Sequence, residues 1–321
     1  MQQSSWNRTV LSSIIGAALL AAPWASLVVG GAAIADAQQR PHILGISHLC
    51  VYSSDTAGTD HFYGAILGAT KQPDPEDSTG TRYYFSGSQF VEVLPLPAGQ
   101  GISRMSHVAF DTDNAAGLRD YLESHGSAGA SALMTGADGS SWFKTKDPEG
   151  NEIQFVQGGS TKLSAAPQPI STRVIHIGFL VHDRAVEDKF YKDLLGFKPY
   201  WYGAMKADKT DWISQQVPDG HDWIEYMMVG EGSTTPVDKV DARELGVLNH
   251  FSLGVPNMEQ AVTTLYAGDR LSPRHDGPQM GKDGKWQANF YDPDGTRVEL
   301  MEFQPVMKPC CSEFTAPSPL N

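Results

Sequence analysis

Four histidines and four acid or amide residues recur at matched places along this 321-residue chain. The histidines are His48, His107, His176 and His250, four of only ten in the sequence. They are followed 44, 47, 49 and 49 residues later by Glu92, Gln154, Glu225 and Glu299. Each of these acid or amide positions has apolar neighbours on both sides, as in Val91-Glu92-Val93 and Val298-Glu299-Leu300. A carboxylate in such a run sits within a sheet, where an unpaired charge is costly. A metal cation removes that cost, and His nitrogen with carboxylate oxygen is a donor set that borderline first-row divalent ions accept. A single His or Glu on a strand reads better as a core or solvated residue. Four His and three Glu in register do not. His176, Glu225, His250 and Glu299 make a complete quartet. His48, Glu92 and His107 make a second one, with Gln154 in the fourth place. An amide is a neutral, weaker ligand, so that second site is expected to be weaker, altered in specificity or empty of metal.

The elements that must position these residues repeat as well. The segment from Gly45 matches the segment from Arg173 without a gap: His48 with His176, Phe62-Tyr63 with Phe190-Tyr191, Gly68 with Gly196. The segment from Ser106 matches that from Asn249, and Asp147-Pro148-Glu149-Gly150 matches Asp292-Pro293-Asp294-Gly295. Each unit reads as a strand, a helix and three strands. In the third unit Ile175, Ile177 and Phe179 alternate with His176, Gly178 and Leu180, the period of a strand. Val186, Phe190 and Leu194 then form a helical stripe, with Asp183 as N-cap and Gly196 as the stop. The Asp-Pro turns read as hairpin geometry rather than as catalytic groups. The expected fold is α+β, four βαβββ units paired into two modules, 43–157 and 173–304.

Flanking segments carry other signals. Residues 1–37 read as an export signal: Arg8, an uncharged run from Val10 to Ile34, then Ala35-Asp36-Ala37 before Gln38. An uncleaved anchor is the alternative reading of that run. After cleavage nothing else approaches a spanning length, so a soluble, exported protein is expected. Residues 158–172 are small and Pro-rich, a linker, and 305–321 read as a loosely ordered, flexible tail. With 24 basic and 37 acidic residues the net charge is −13, which argues against nucleic acid and anionic lipid as partners. Three cysteines cannot form the even framework of a disulfide-stapled scaffold. Cys310-Cys311 is expected to be a pair of tail thiols and Cys50 a buried apolar residue. Trp142, Trp201, Trp212, Trp223 and Trp286 are candidates for pocket walls or core.

On these residues the chain resembles the vicinal oxygen chelate superfamily, which includes glyoxalase I, extradiol ring-cleaving dioxygenases and bleomycin-binding proteins. The run His176 to Val181, then Phe190-Tyr191, then Leu195-Gly196-Phe197 nearly matches the first glyoxalase I signature, departing at Glu187. The resemblance covers 43–304 and implies two cups, each built from two units, with ligands from their first and last strands. It implies a divalent ion (Zn, Ni, Mn or Fe(II)) on His176, Glu225, His250 and Glu299, and a small-molecule substrate chelated through neighbouring oxygens. Such an ion stabilises developing oxyanion charge, and a carboxylate that leaves it can carry a proton. Glu225 and Glu299 are then the candidate catalytic bases of a glyoxalase-like lyase or isomerase. Two alternatives stay open. One is an Fe(II) ring-cleaving dioxygenase, against which Phe290-Tyr291 abuts Asp292-Pro293 and no His lies between Gly281 and Phe290; His275 could reach the site only from a loop. The other is a non-catalytic ligand-binding protein, which would have no need of two carboxylates facing its pocket.

Overall fold

The computed structural model describes residues 39–127, 129–158, 169–240 and 248–320. Residues 1–38, which hold the run read above as an export signal, and most of the linker lie outside the described residues. The first unit contributes β1 (Ile43–Ser53), α1 (Thr56–Asp60), β2 (Thr70–Pro73), β3 (Thr81–Tyr84) and β4 (Phe90–Pro95). The second contributes β5 (Met105–Thr112), α2 (Ala115–Ser124), β6 (Met134–Thr135), β7 (Ser141–Lys146) and β8 (Glu152–Gln157). The third runs through β9 (Val174–Val181), α3 (Arg184–Asp188), β10 (Lys198–Gly203), β11 (Trp212–Gln216) and β12 (Trp223–Met228). The fourth adds β13 (Leu248–Val255), α4 (Met258–Ala267), β14 (His275–Met280), β15 (Trp286–Tyr291) and β16 (Arg297–Glu302).

These strands form two eight-stranded sheets, ordered β2-β3-β4-β1-β5-β8-β7-β6 and β10-β11-β12-β9-β13-β16-β15-β14. The fold is therefore α+β with two tandem βαβββ pairs. In each sheet the opening strands of two units lie antiparallel at the centre, and each pairs in parallel with the closing strand of its own unit. That topology brings two histidine strands and two acid or amide strands to adjacent positions. All eight residues of β9 are buried, as a central strand covered on both faces requires.

One continuous apolar core spans both modules, including Leu49, Phe110 and Phe155 from the first and Ile177, Phe179 and Leu300 from the second. Phe110 and Phe197 meet edge to face, centroids 5.4 Å apart, across the module boundary. The two Asp-Pro turns anchor this junction. The Tyr63 hydroxyl donates to Asp292 at 3.1 Å, and the Tyr191 hydroxyl donates to Asp147 at 3.0 Å. Gly150 and Gly295 hold φ of +94° and +88°, which is the conformation the turns demand.

Four expectations need correction. The helical stripe of the third unit is not Val186, Phe190 and Leu194. After α3 the backbone widens to a π-helical segment, Lys189–Leu194. The buried positions become Glu187, Phe190, Tyr191 and Leu195, while Val186 is exposed. An added residue per turn rotates the face. The strand alternation also breaks: a register shift in the β9–β13 pairing separates Val174 from His176. Ile175 consequently packs with Tyr200, Trp201 and Trp223 rather than with Ile177. Finally, the tail from residue 305 docks rather than hanging loose. Its Phe314 ring stacks near Tyr200 with centroids 4.9 Å apart, Thr315 N–H donates to the Tyr200 carbonyl, and the Ser318 hydroxyl meets that of Tyr200 at 2.6 Å. Strand β10 is a sheet edge with aromatic side chains, and covering it satisfies open backbone groups. Cys310 and Cys311 are joined as a vicinal disulfide instead of standing as two thiols.

Candidate metal centre

Strand pairing brings His176, His250 and Glu299 of module two around one point, with Glu225 beside His250. His176 on β9 lies opposite Ser252 of β13, His250 lies opposite Gly178, and Ser252 in turn pairs with Glu299. Glu225 pairs with Gly178 from the other side. The His176 and His250 Nε2 atoms stand 2.9 Å apart, and Glu299 Oε2 lies 3.2 Å from the first and 3.8 Å from the second. Glu225 Oε2 is 3.6 Å from His250 Nε2. Nitrogen ligands each about 2.0–2.1 Å from one ion stand roughly 3 Å from each other, so this spacing fits a shared cation. Gly178 is required here, because a Cβ at that position would collide with the His250 ring.

Electrostatics point the same way. His176 and His250 are fully buried, which pushes both imidazoles below their usual range; Arg297 and His176 add to the effect at His250. Neutral imidazole is the form that ligates. Burial, with the nearby Glu299 and Asp283 carboxylates, pushes the Glu225 carboxyl up to about 8. A cation among these groups would reverse that preference. Trp223 stacks on His176 at 4.7 Å and fixes its ring. A cavity of about 370 Å³ opens onto His250, Glu225 and Glu299, with Trp201 and Trp212 among its walls. The clustered donors and the open cavity can hold an ion and admit a small molecule beside it.

Module one brings together His48, Glu92 and His107. Glu92 Oε2 lies 3.6 Å from His48 Nε2 and 3.4 Å from His107 Nε2. None of these three buried atoms has a hydrogen-bond partner among the described residues, which is the deficit a cation would fill. The Ser47 and Ser106 hydroxyls meet the Nδ1 atoms of the two rings at 3.2 and 3.1 Å, and Lys144 Nζ is also 3.3 Å from the second. The Gln154 amide nitrogen donates to Glu76 at 2.9 Å, while its buried Oε1 is left without a partner among the described residues. The adjoining cavity measures only about 90 Å³ and is lined by Arg82 and Glu76 rather than by the triad.

With this geometry in view, the comparison with known proteins is decisive for ancestry. The profile of the Glyoxalase/Bleomycin resistance protein/Dioxygenase superfamily matches residues 45–155 and 173–300. The chain belongs to that superfamily. It is similar to the probable chloroplastic lactoylglutathione lyase of Arabidopsis thaliana, 29% identical over 142 residues, 43% of this chain and 38% of that protein. The chain thus matches less than two thirds of the length of that curated relative. In three dimensions it is similar to the 2,3-dioxygenase LapB from Pseudomonas sp. KL28, with a TM-score of 0.59 at 16% identity, over 84% of this chain and 97% of that one. Homoprotocatechuate 2,3-dioxygenase from Brevibacterium fuscum gives 0.59 at 16% identity over 82% of each chain. These two structural likenesses establish the fold.

Within this superfamily chain, the other residues singled out in the sequence sort clearly. Trp201 and Trp212 line the cavity, Trp223 is buried behind His176, and Trp142 and Trp286 are not among its walls. His275 stays outside the cavity, its Nδ1 2.7 Å from the Ser272 carbonyl and its ring stacked on Phe290. Cys50 is buried, as expected. Sequence reasoning missed Asn289, Arg297 and Asp283, which all line the cavity. Arg297 had a legible signal: it precedes Glu299 by two residues on one strand and so shares its face.

Proposed function

We propose that this protein is an exported, metal-dependent enzyme whose working centre is the module-two cup. In this reading His176, His250, Glu299 and Glu225 hold one divalent ion, and the chemistry is glyoxalase-like lyase or isomerase chemistry on a small substrate with neighbouring oxygens. The carrying observation is the second carboxylate: Glu225 lines the cavity opposite Glu299 and lies 3.6 Å from His250. A bound ion would supply Lewis-acid stabilisation of negative charge on substrate oxygens. The chain's own residues do the rest. Glu225 moves a proton between adjacent substrate carbons, Glu299 and the two imidazoles stay fixed, and Trp201 and Trp212 exclude water and orient the substrate. Export rests on residues 1–37; among the described residues no helix is long and apolar enough to cross a membrane.

A ring-cleaving dioxygenase is the second reading, favoured by one observation. The tightest group of donors is two His and one Glu: His176, His250 and Glu299. Such a triad with open positions suits Fe(II) oxygen chemistry. One experiment separates the readings. The chelated protein is reloaded with Zn, Ni, Mn or Fe(II) and assayed on hemithioacetals and catechols, with Glu225→Gln in parallel. The proposal expects hemithioacetal turnover that falls about 10²–10⁴-fold in Glu225→Gln with metal retained. Oxygen consumption with a catechol and Fe(II), unchanged by Glu225→Gln, would replace it with the second reading.

A further inference from the structure

The module-two cavity is lined by a guanidinium that no described carboxylate pairs with directly. Arg297 and Glu299 alternate on β16 and both line the cavity. Among the described residues no carboxylate lies within ion-pair distance of Arg297, and its Nε is buried without a hydrogen-bond partner. Beside it on β15 stands Asn289, paired across the strands with Glu299 while Tyr291 pairs with Arg297. Asn289 is 6% exposed, and its Oδ1 is also unpartnered. A buried polar atom left unpaired is costly, and the Nε of half-buried Arg297 and the Oδ1 of Asn289 are both left so, facing the cavity.

Module one supplies an internal control. In its sheet Lys144 pairs with Gln154 and Lys146 with Glu152, the same register. Lys144 therefore takes the place of Asn289, and Glu152 the place of Arg297. There the two side chains satisfy each other, with Lys144 Nζ 2.9 Å from Glu152 Oε1. Module two has in those places an amide and a guanidinium that makes no direct ion pair among the described residues, both lining a cavity whose walls include Trp201 and Trp212. A planar fork of donors matches a carboxylate in shape and charge.

We infer that Arg297 and Asn289 form an anion seat, and that the substrate of this cup is a small carboxylic acid that carries its two chelating oxygens apart from its carboxylate. The inference rests on the metal-chelation reading above and adds a substrate class to it. Arg297 takes the carboxylate, and Asn289 donates to it or accepts from a neighbouring hydroxyl.

Calorimetric binding to the full chain, loaded with zinc or stripped by a chelator, tests this with two matched probes: neutral 4-methylcatechol and anionic 3,4-dihydroxybenzoate. Both should bind only the zinc form, the acid at least tenfold tighter. Arg297→Gln should reduce that ratio to about one, and Arg297→Lys should keep part of it. Replacing the pair together, Asn289→Lys with Arg297→Glu, should invert it. A merely structural role would weaken both probes alike and leave the ratio intact, overturning the proposal. Equal zinc-dependent affinities in the wild type would overturn the seat while leaving chelation standing. Binding of neither probe to the zinc form would remove the chelation reading, and the seat with it.

Discussion

The two modules share a fold, a register and a pair of buried histidines, yet one cup is filled and the other is open. The difference sits at a few equivalent positions. Across the sheet from Glu92 stands Arg82; across from Glu225 stands Ser214. Arg82 draws Asp74 and Glu76 to 2.9 and 2.7 Å, and Glu76 occupies Gln154. Ser214 is too short to fill that volume and only approaches Glu225, at 3.4 Å. At the centre of the sheets, Cys50 in module one stands where module two has Gly178, each opposite the histidine of the other unit in its module, His107 and His250. A duplicated scaffold has thus kept the ligand strands in both halves. Substrate space survives in one half, and a packed ion-pair cluster holds the other.

That contrast can be broken at its strongest point first. Arg82 is 4% exposed and holds buried carboxylates together. Arg82→Ala should cost about 3–5 kcal/mol of stability, since it strands buried charges. Chemical denaturation measures this, and Arg297→Ala, which breaks no ion pair, should cost much less. Equal losses would mean that module one is not the structural half.

A smaller effect should follow from giving module two the module-one residue. Gly178→Cys places a side chain against the His250 ring. Metal affinity should fall about 10–100-fold, as for other changes that misorient a ligand, in a competition titration against a chelating dye. The reverse change, Cys50→Gly, should leave that affinity unmoved. An unchanged affinity in Gly178→Cys would show that the close approach of His250 is not what the site needs.

Much of this was legible in the chain. Repeats at constant offset exposed the four units, and period-two alternation put each His and Glu on one face of a strand. Burial among apolar neighbours marked the carboxylates as needing a partner. Other features were hidden by physical causes that pattern cannot carry. The π-helical turn at 189–194 shifted the buried face onto Glu187, because a widened turn leaves no composition signal. The tail docked through Phe314 and Ser318, small anchors in a segment whose Pro content reads as loose. The closing of module one depended on Glu76 reaching Gln154 from a loop 78 residues away in sequence. Gln154 alone suggested a weakened site; only the structure supplies its replacement partner.

The central claim is that module two is the working centre. The most direct measurement compares Glu299→Ala with Glu92→Ala, recording bound metal and turnover in the same samples. The predicted result is that Glu299→Ala loses the module-two ion and at least about a hundredfold in kcat/KM, the scale set by removing one charge-stabilising group, while Glu92→Ala keeps turnover within about threefold of wild type on that scale. Turnover that survives Glu299→Ala and disappears in Glu92→Ala would place the chemistry in the closed cup and contradict the claim.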